Sequence, residues 1–200
     1  LSDAVESVGG RVFVDEIHAP LVYGGQRHVP YASVTPAAAA HSVTAISASK
    51  AWNLPGLKCA NLLFTNPDDA ARWDEVGVMP KHGASTLGVI ANTAAYGDES
   101  EWLPDVMARL DANRRLLADV VQQRLPEVGH RSPEGTYLAW LDCRRLDVGG
   151  DPAAWFLDAA RVAVTDGARC GAPGFVRLNI ATPAAILTDV LDHMATSLGR

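Results

Sequence analysis

The chain has 200 residues, 48% of them apolar and 20% charged, and its 17 Lys+Arg against 23 Asp+Glu leave a net charge of −6. These proportions are globular and exclude an intrinsically disordered segment, while the acidic balance argues against nucleic-acid binding, which shows itself as a basic patch or stripe. No apolar run approaches the roughly 20 residues needed to span a bilayer.

The first eight residues, Leu1 to Val8, read as the tail of a helix stopped by Gly9-Gly10. Arg11-Val-Phe-Val14 is a short β-rich run that ends in Asp15-Glu16, a buried strand with acidic residues at its carboxyl end. The stretch from Ala19 to Pro36 holds Pro20, Gly24, Gly25, Pro30 and Pro36 and reads as a long loop. Ser42 to Ser47 is a second strand, with Lys50 just beyond it and a turn at Pro55-Gly56. Cys59 to Thr65 is a third strand, after which Asn66 can cap a helix with Pro67 in its first turn. His82 to Tyr96 reads as a Gly- and Ala-rich loop entering a helix. Asp98 to Leu125 then reads as one long amphipathic helix, with Pro104 in its first turn and Pro126 beyond its end. Strands follow at Thr136–Leu141 and Phe175–Ile180, and helices from Asp151 to about Arg161 and from Pro183 to near Leu198. Strand and helix alternate in the first half, which suggests part of a parallel α/β layer; the second half is α+β. The boundary is set near residue 100, giving units 1–100 and 101–200.

Three widely spaced cysteines, Cys59, Cys143 and Cys170, form neither a CxxC pair nor a Cys/His cluster. A disulfide framework or structural zinc site is not expected, and a reducing cytoplasm suits them. His41, His130 and His193 are expected at the surface, and the five tryptophans are expected to serve in packing. No GxSxG, HExxH or P-loop is present.

Lys50 stands out. It lies in Ser47-Ala-Ser49-Lys50-Ala-Trp-Asn-Leu-Pro-Gly56-Leu-Lys58, close behind a buried strand. An ordinary lysine at such a point is a surface lysine. Two hydroxyls before it, a second cation at Lys58 and small residues between suit a phosphate. A lysine beside a phosphate is a candidate for a Schiff base with an aldehyde cofactor. Asp15 sits at the carboxyl end of a strand, where open α/β sheets place ligands. It reads either as a solvated or capping carboxylate or as a buried one that keeps a pyridine ring protonated. Arg177 lies inside the apolar run Phe175-Val-Arg-Leu-Asn-Ile180 and needs a partner, either a structural salt bridge or a substrate carboxylate held in its guanidinium fork.

VFVDEIHAPLVYGGQRHVPYAS, SASKAWNLPGLKCA, PEGTYLAWLD and GFVRLNIATP follow one another along nearly the whole chain. Together they resemble successive motifs of the fold-type I pyridoxal-phosphate enzymes in the class I/II aminotransferase superfamily. The DEIH stretch with SKxxNLPGLK is most similar to the bacterial cystathionine β-lyase-like C–S lyases. The resemblance implies a PLP-dependent transferase-like α/β fold. Its large domain would be present in part, over residues 1–100, with a mostly parallel sheet. A small α+β domain would occupy 101–200, led by the long linking helix. Lys50 matches the lysine that bonds covalently to the cofactor, and Asp15 the carboxylate at its pyridine nitrogen. Ser47 and Lys58 match phosphate-holding positions, with Ser49 close by. His18 stands near the cofactor 3′-oxygen, and Arg177 matches the clamp on the substrate carboxylate. Cys170 departs from the pattern, since relatives often carry an aromatic residue there.

The resemblance further implies a homodimer and an amino-acid substrate. The family's ring-stacking aromatic, its asparagine and its glycine-containing phosphate loop belong to a first half not found in this sequence. The chain is therefore expected to be a C-terminal half that needs the missing half to complete the site and that exposes an unpaired sheet edge. A β-lyase releasing thiol, pyruvate and ammonia is the leading expectation. Transamination from the same site is the second, and a non-catalytic regulatory or partner-binding fragment the third.

Overall fold

The computed structural model describes residues 1–199. The chain divides into two compact units, Leu1–Leu103 and Pro104 onward.

The first unit opens with α1 (Ser2–Ser7), which ends as the two glycines require: Gly9 takes φ +61° and the Gly10 N–H returns to the Val5 carbonyl at 2.9 Å. Strand β1 (Val12–Asp15) follows, then an irregular segment with one 3₁₀ turn at Tyr31–Ser33. The expected loop gives way at Pro36 to α2 (Pro36–His41), in which the alanine run is helical. Thr35 caps it by accepting the Ala38 N–H at 3.0 Å. Strand β2 (Ser42–Ile46) pairs parallel to β1, and β3 (Asn61–Phe64) pairs antiparallel to β2. The sheet order is β1-β2-β3, one parallel and one antiparallel pair. Asn66 caps α3 (Pro67–Glu75) through the Asp68 N–H, with Pro67 in the first turn as expected. A one-turn α4 (Val78–Lys81) precedes α5 (Thr86–Tyr96).

β1 is an edge strand, and Phe13 on it is 66% exposed. Leu87 and Ile90 on α5 are likewise 68% and 62% exposed. Full burial of a side chain of this size is worth about 1.5–3 kcal/mol, and these three forgo the larger part of it. His41 corrects an expectation. It is buried, because it ends α2 against the 3₁₀ turn, where its Nε2 meets the Tyr31 hydroxyl at 2.8 Å.

The second unit begins within α6 (Trp102–Arg124), whose inward face is Leu110, Asn113, Leu117 and Val121. Strands β4 (Gly129–His130), β5 (Leu138–Asp142), β6 (Thr165–Asp166) and β7 (Phe175–Asn179) form an antiparallel sheet in the order β4-β5-β7-β6. Strict alternation puts Ala139 and Leu141 of β5 and Val176 and Leu178 of β7 on the buried face. They pack with Leu117, Phe156, Leu191 and Met194 in one core. The helix expected from Asp151 to about Arg161 is present over that span, but it changes type along its length. After α7 (Pro152–Trp155) the backbone widens to a π turn at Phe156–Ala160, and Arg161 takes φ +57°. The last helix, α8 (Ala184–Ser197), ends where expected.

Cys143 is 2% exposed in this core, and burial pushes its thiol up to about 12. Cys170 is exposed and Cys59 half-buried. At pH 8, a thiol reagent followed by peptide mass mapping should therefore label Cys170 first and Cys59 more slowly. Cys143 should react only after denaturant is added; early reaction at Cys143 would refute the packing described.

Among the described residues no helix is long and apolar enough to cross a membrane.

Candidate active site

The carboxyl ends of β1 and β2 lie side by side, with Asp15 opposite Ala45 in register. Beyond β2 the chain makes a tight turn over Ala48–Trp52, closed by the Trp52 N–H to the Ala48 carbonyl at 3.0 Å. Lys50 rides on this turn. A 3₁₀ turn at Pro55–Leu57 brings the chain back, and Lys58 follows in the left-handed region at φ +50°. The chain then runs through Cys59 into β3.

This hairpin-like excursion frames an open cleft of about 490 Å³ within the first unit. Ser47, Ser49, Lys50 and Lys58 all line it, so the structure brings together four of the residues singled out in the sequence. Cys59 and Lys81 line it as well. Lys81 is paired with Asp74 at 3.1 Å and sits over the Trp73 ring. Lys50 and Lys58 are different: among the described residues neither has a carboxylate within ion-pair distance. Two cations facing one cleft without acidic partners make a positive field that an anion complements.

Ser47 is 3% exposed, and its hydroxyl ties the cleft wall together. It donates to the Cys59 carbonyl at 2.5 Å and accepts the Ser49 N–H at 3.1 Å. Asp15 is exposed, and its carboxylate accepts the Ile17 N–H at 3.1 Å. The neighbouring Glu16 is the buried acid, receiving the Tyr31 N–H at 2.8 Å and lying 3.2 Å from His28. The strand alternation is the reason: Phe13 and Asp15 share the open face of β1, and Glu16 turns inward past its end. His18 lies half-buried in the turn after β1, with its carbonyl accepting the Leu21 N–H. Neither Asp15 nor His18 lines the cleft, whereas Ile17 between them does.

Arg177 lies in the second unit, on β7, half-buried and opposite Trp140 in register. Its guanidinium reaches the Thr165 hydroxyl at 3.5 Å, and among the described residues no carboxylate pairs with it. Of the two partners expected for this charge, the structural salt bridge is absent from the described residues. Cys170 is exposed at the end of a 3₁₀ turn, Gly167–Cys170, in the same unit. No group of three or more His, Cys, Asp or Glu able to hold a metal occurs among the described residues.

Sequence reading missed Ser85, Gly88 and Asn92, which α5 sets against the cleft wall. The Ser85 N–H donates to the Lys58 carbonyl at 3.2 Å, and the Ala48 N–H donates to Asn92 Oδ1 at 2.9 Å. The available signal was the buried spacing Gly88, Asn92, Ala95 in an otherwise apolar helix.

The sequence matches the family model described as aminotransferase class I and II over residues 1–194. A Mycobacterium tuberculosis protein with the provisional name cystathionine beta-lyase is 44% identical, over 99% of this chain and 53% of its own length. The cystathionine beta-lyase of Corynebacterium glutamicum is 36% identical, over 99% of this chain and 53% of its own. Among solved structures, a Corynebacterium diphtheriae protein described as a candidate PLP-dependent beta-cystathionase matches at TM-score 0.93 and 40% identity, covering 100% of this chain and 53% of that one. The chain spans about half the length of the curated relatives it matches. It belongs to the class I and II aminotransferase family and has that family's fold-type I α/β architecture.

Proposed function

We propose that the chain is the lysine-bearing half of a pyridoxal-phosphate-dependent C–S β-lyase, acting on cystathionine- and cysteine-type amino acids with release of thiol, pyruvate and ammonia. The observation that carries this is the cleft in which Lys50 and Lys58, free of acidic partners among the described residues, meet Ser47 and Ser49. Cations and hydroxyls fit a phosphate, and an amine beside them fits an aldehyde. The lyase is favoured over transamination by the Corynebacterium glutamicum relative's name; the aspartate aminotransferase of Geobacillus stearothermophilus is only 25% identical.

Pyridoxal phosphate supplies a covalent anchor for the substrate amine and an electron-poor ring that accepts the electrons of a broken Cα–H bond. Lys58 and Ser49, which line the cleft, would hold the phosphate, and Ser47 braces the wall through the Cys59 carbonyl. Asp15, at the open carboxyl end of β1, would pair with the protonated ring nitrogen, and His18 would offer the ring a hydrogen bond, both flanking Ile17, which lines the cleft. Lys50 Nζ would anchor the cofactor's aldehyde and, as a free amine, would serve as general base for the substrate α-proton. Arg177 holds the substrate carboxylate in its planar fork and so orients the bonds that break.

Residues 1–100 are assigned to the large cofactor-binding domain and 101–200 to the small domain. The ring-stacking aromatic and the rest of the phosphate loop are assigned to the remaining half of the relatives' length, which would also cover the exposed Phe13, Leu87 and Ile90. A homodimer in the reducing cytoplasm completes the proposal, in keeping with three free cysteines.

The test uses full-length protein loaded with pyridoxal phosphate, reduced with borohydride and mapped by mass, then assayed with cystathionine. The expected result is cofactor fixed on Lys50 and pyruvate released without a keto acid. Amino transfer that requires a keto acid would make it an aminotransferase. No cofactor on Lys50 would leave a non-catalytic binding fragment.

A further inference from the structure

Helix α5 touches both flanks of the cleft. At one flank it meets the turn that carries Lys50. The Ala48 N–H is buried, since Ala48 is 1% exposed, and no backbone carbonyl takes it. Asn92 Oδ1 takes it instead, at 2.9 Å, from a side chain that is itself buried, the residue being 7% exposed. The turn's other hydrogen bonds are the backbone bonds from Trp52 to Ala48, Asn53 to Lys50 and Leu54 to Ser49, and the Ser49 N–H to Ser47 Oγ, whose hydroxyl is tied to the Cys59 carbonyl. Asn92 is therefore the side chain through which α5 hydrogen-bonds this turn, beside the Tyr96 ring that packs on Trp52 at 5.0 Å.

At the other flank α5 grips the segment that carries Lys58. The Ser85 hydroxyl donates to the Leu57 carbonyl, and the Ser85 N–H to the Lys58 carbonyl. Gly88 lets the helix come this close: a Cβ there would sit 2.2 Å from the Leu57 carbonyl oxygen. One helix thus bonds to both cation-bearing segments, which the Ser47 hydroxyl also joins through the Cys59 carbonyl.

We propose that Asn92 is a positioning residue for Lys50, fixing the lysine-bearing turn against α5 while Ser85 and Gly88 fix Lys58, so that amine and phosphate-binding cation keep one separation. This rests on the function proposed above. Removing the acceptor leaves the Ala48 N–H unsatisfied and lets the turn move away from Lys58.

The test compares full-length wild type with Asn92→Ala and Asn92→Asp, the latter keeping an acceptor for the Ala48 N–H. The readouts are the Kd for pyridoxal phosphate, visible circular dichroism of the bound cofactor, and amide hydrogen exchange over residues 48–52. Asn92→Ala is expected to raise Kd about tenfold, weaken the visible dichroism and speed exchange of the Ala48 amide. Asn92→Asp is expected to stay within about threefold of wild type. Wild-type uptake on Lys50 with Asn92→Ala unchanged in Kd and dichroism overturns this inference alone. Asn92→Asp as impaired as Asn92→Ala also overturns it, because packing and not the acceptor would then matter. Wild type that takes up no cofactor on Lys50 overturns the functional proposal and this inference together.

Discussion

Lys50→Ala in the full-length protein is expected to abolish covalent retention of pyridoxal phosphate and to lower turnover about a thousandfold or more. Two roles are lost in one change, the amine that carries the cofactor and the base that takes the α-proton. The fold should be indifferent. Lys50 is half-buried at the lip of the cleft and pairs with no carboxylate among the described residues. Its removal should therefore shift stability by no more than about 0.5 kcal/mol. Lys50→Arg separates charge from chemistry, since a guanidinium keeps the positive field but forms no Schiff base with an aldehyde. Both variants should be equally inactive, with unchanged thermal midpoints and phosphate still bound noncovalently. Activity within tenfold of wild type in either would exclude Lys50 from the reaction.

Arg177→Leu is expected to raise KM for the amino acid about a hundredfold with little change in cofactor retention. The guanidinium is half-buried on β7, with the Thr165 hydroxyl at 3.5 Å and no carboxylate partner among the described residues. A cation in that state is incompletely satisfied, and a substrate carboxylate would complete it through two parallel hydrogen bonds. Arg177→Lys should recover only part of the loss, because an ammonium is a point charge and cannot present a planar fork. Folding should not suffer in either variant, as no ion pair is broken. Steady-state kinetics beside cofactor absorbance separates the two sites. An unchanged KM in Arg177→Leu would remove the residue from substrate binding, whereas loss of cofactor would place its role elsewhere.

Both predictions concern residues visible in the sequence, and so were the elements that carry them. Lys50 is marked by its place after a β-rich run and between hydroxyls and Lys58. Arg177 is marked as a charge inside an apolar strand. Helix ends were legible where a cap or a breaker stood, as at Asn66-Pro67 and Gly9-Gly10. The two-residue strands Gly129–His130 and Thr165–Asp166 were not, because they are too short to show a period and exist only by pairing with β5 and β7. Helix α2 is hidden because an alanine run carries no amphipathic pattern, and its Thr35 cap lies in a Pro- and Gly-rich stretch that predicts a loop.

By itself, the sequence determined the order of the longer strands and helices, the amine and cations of the site, and the family motifs that order them, since these rest on local pattern and residue chemistry. Only the tertiary structure decided that Glu16 is the buried acid while Asp15 stays open, that Ser47 is bound to Cys59, and that His41 is buried. It alone joined Asn92 to Ala48 across 44 residues, and it left Arg177 without an acidic partner among the described residues. The physical reason is shared. Each outcome depends on which group from a distant segment satisfies a buried donor or acceptor, and that pairing leaves no trace in the spacing of neighbours along the chain.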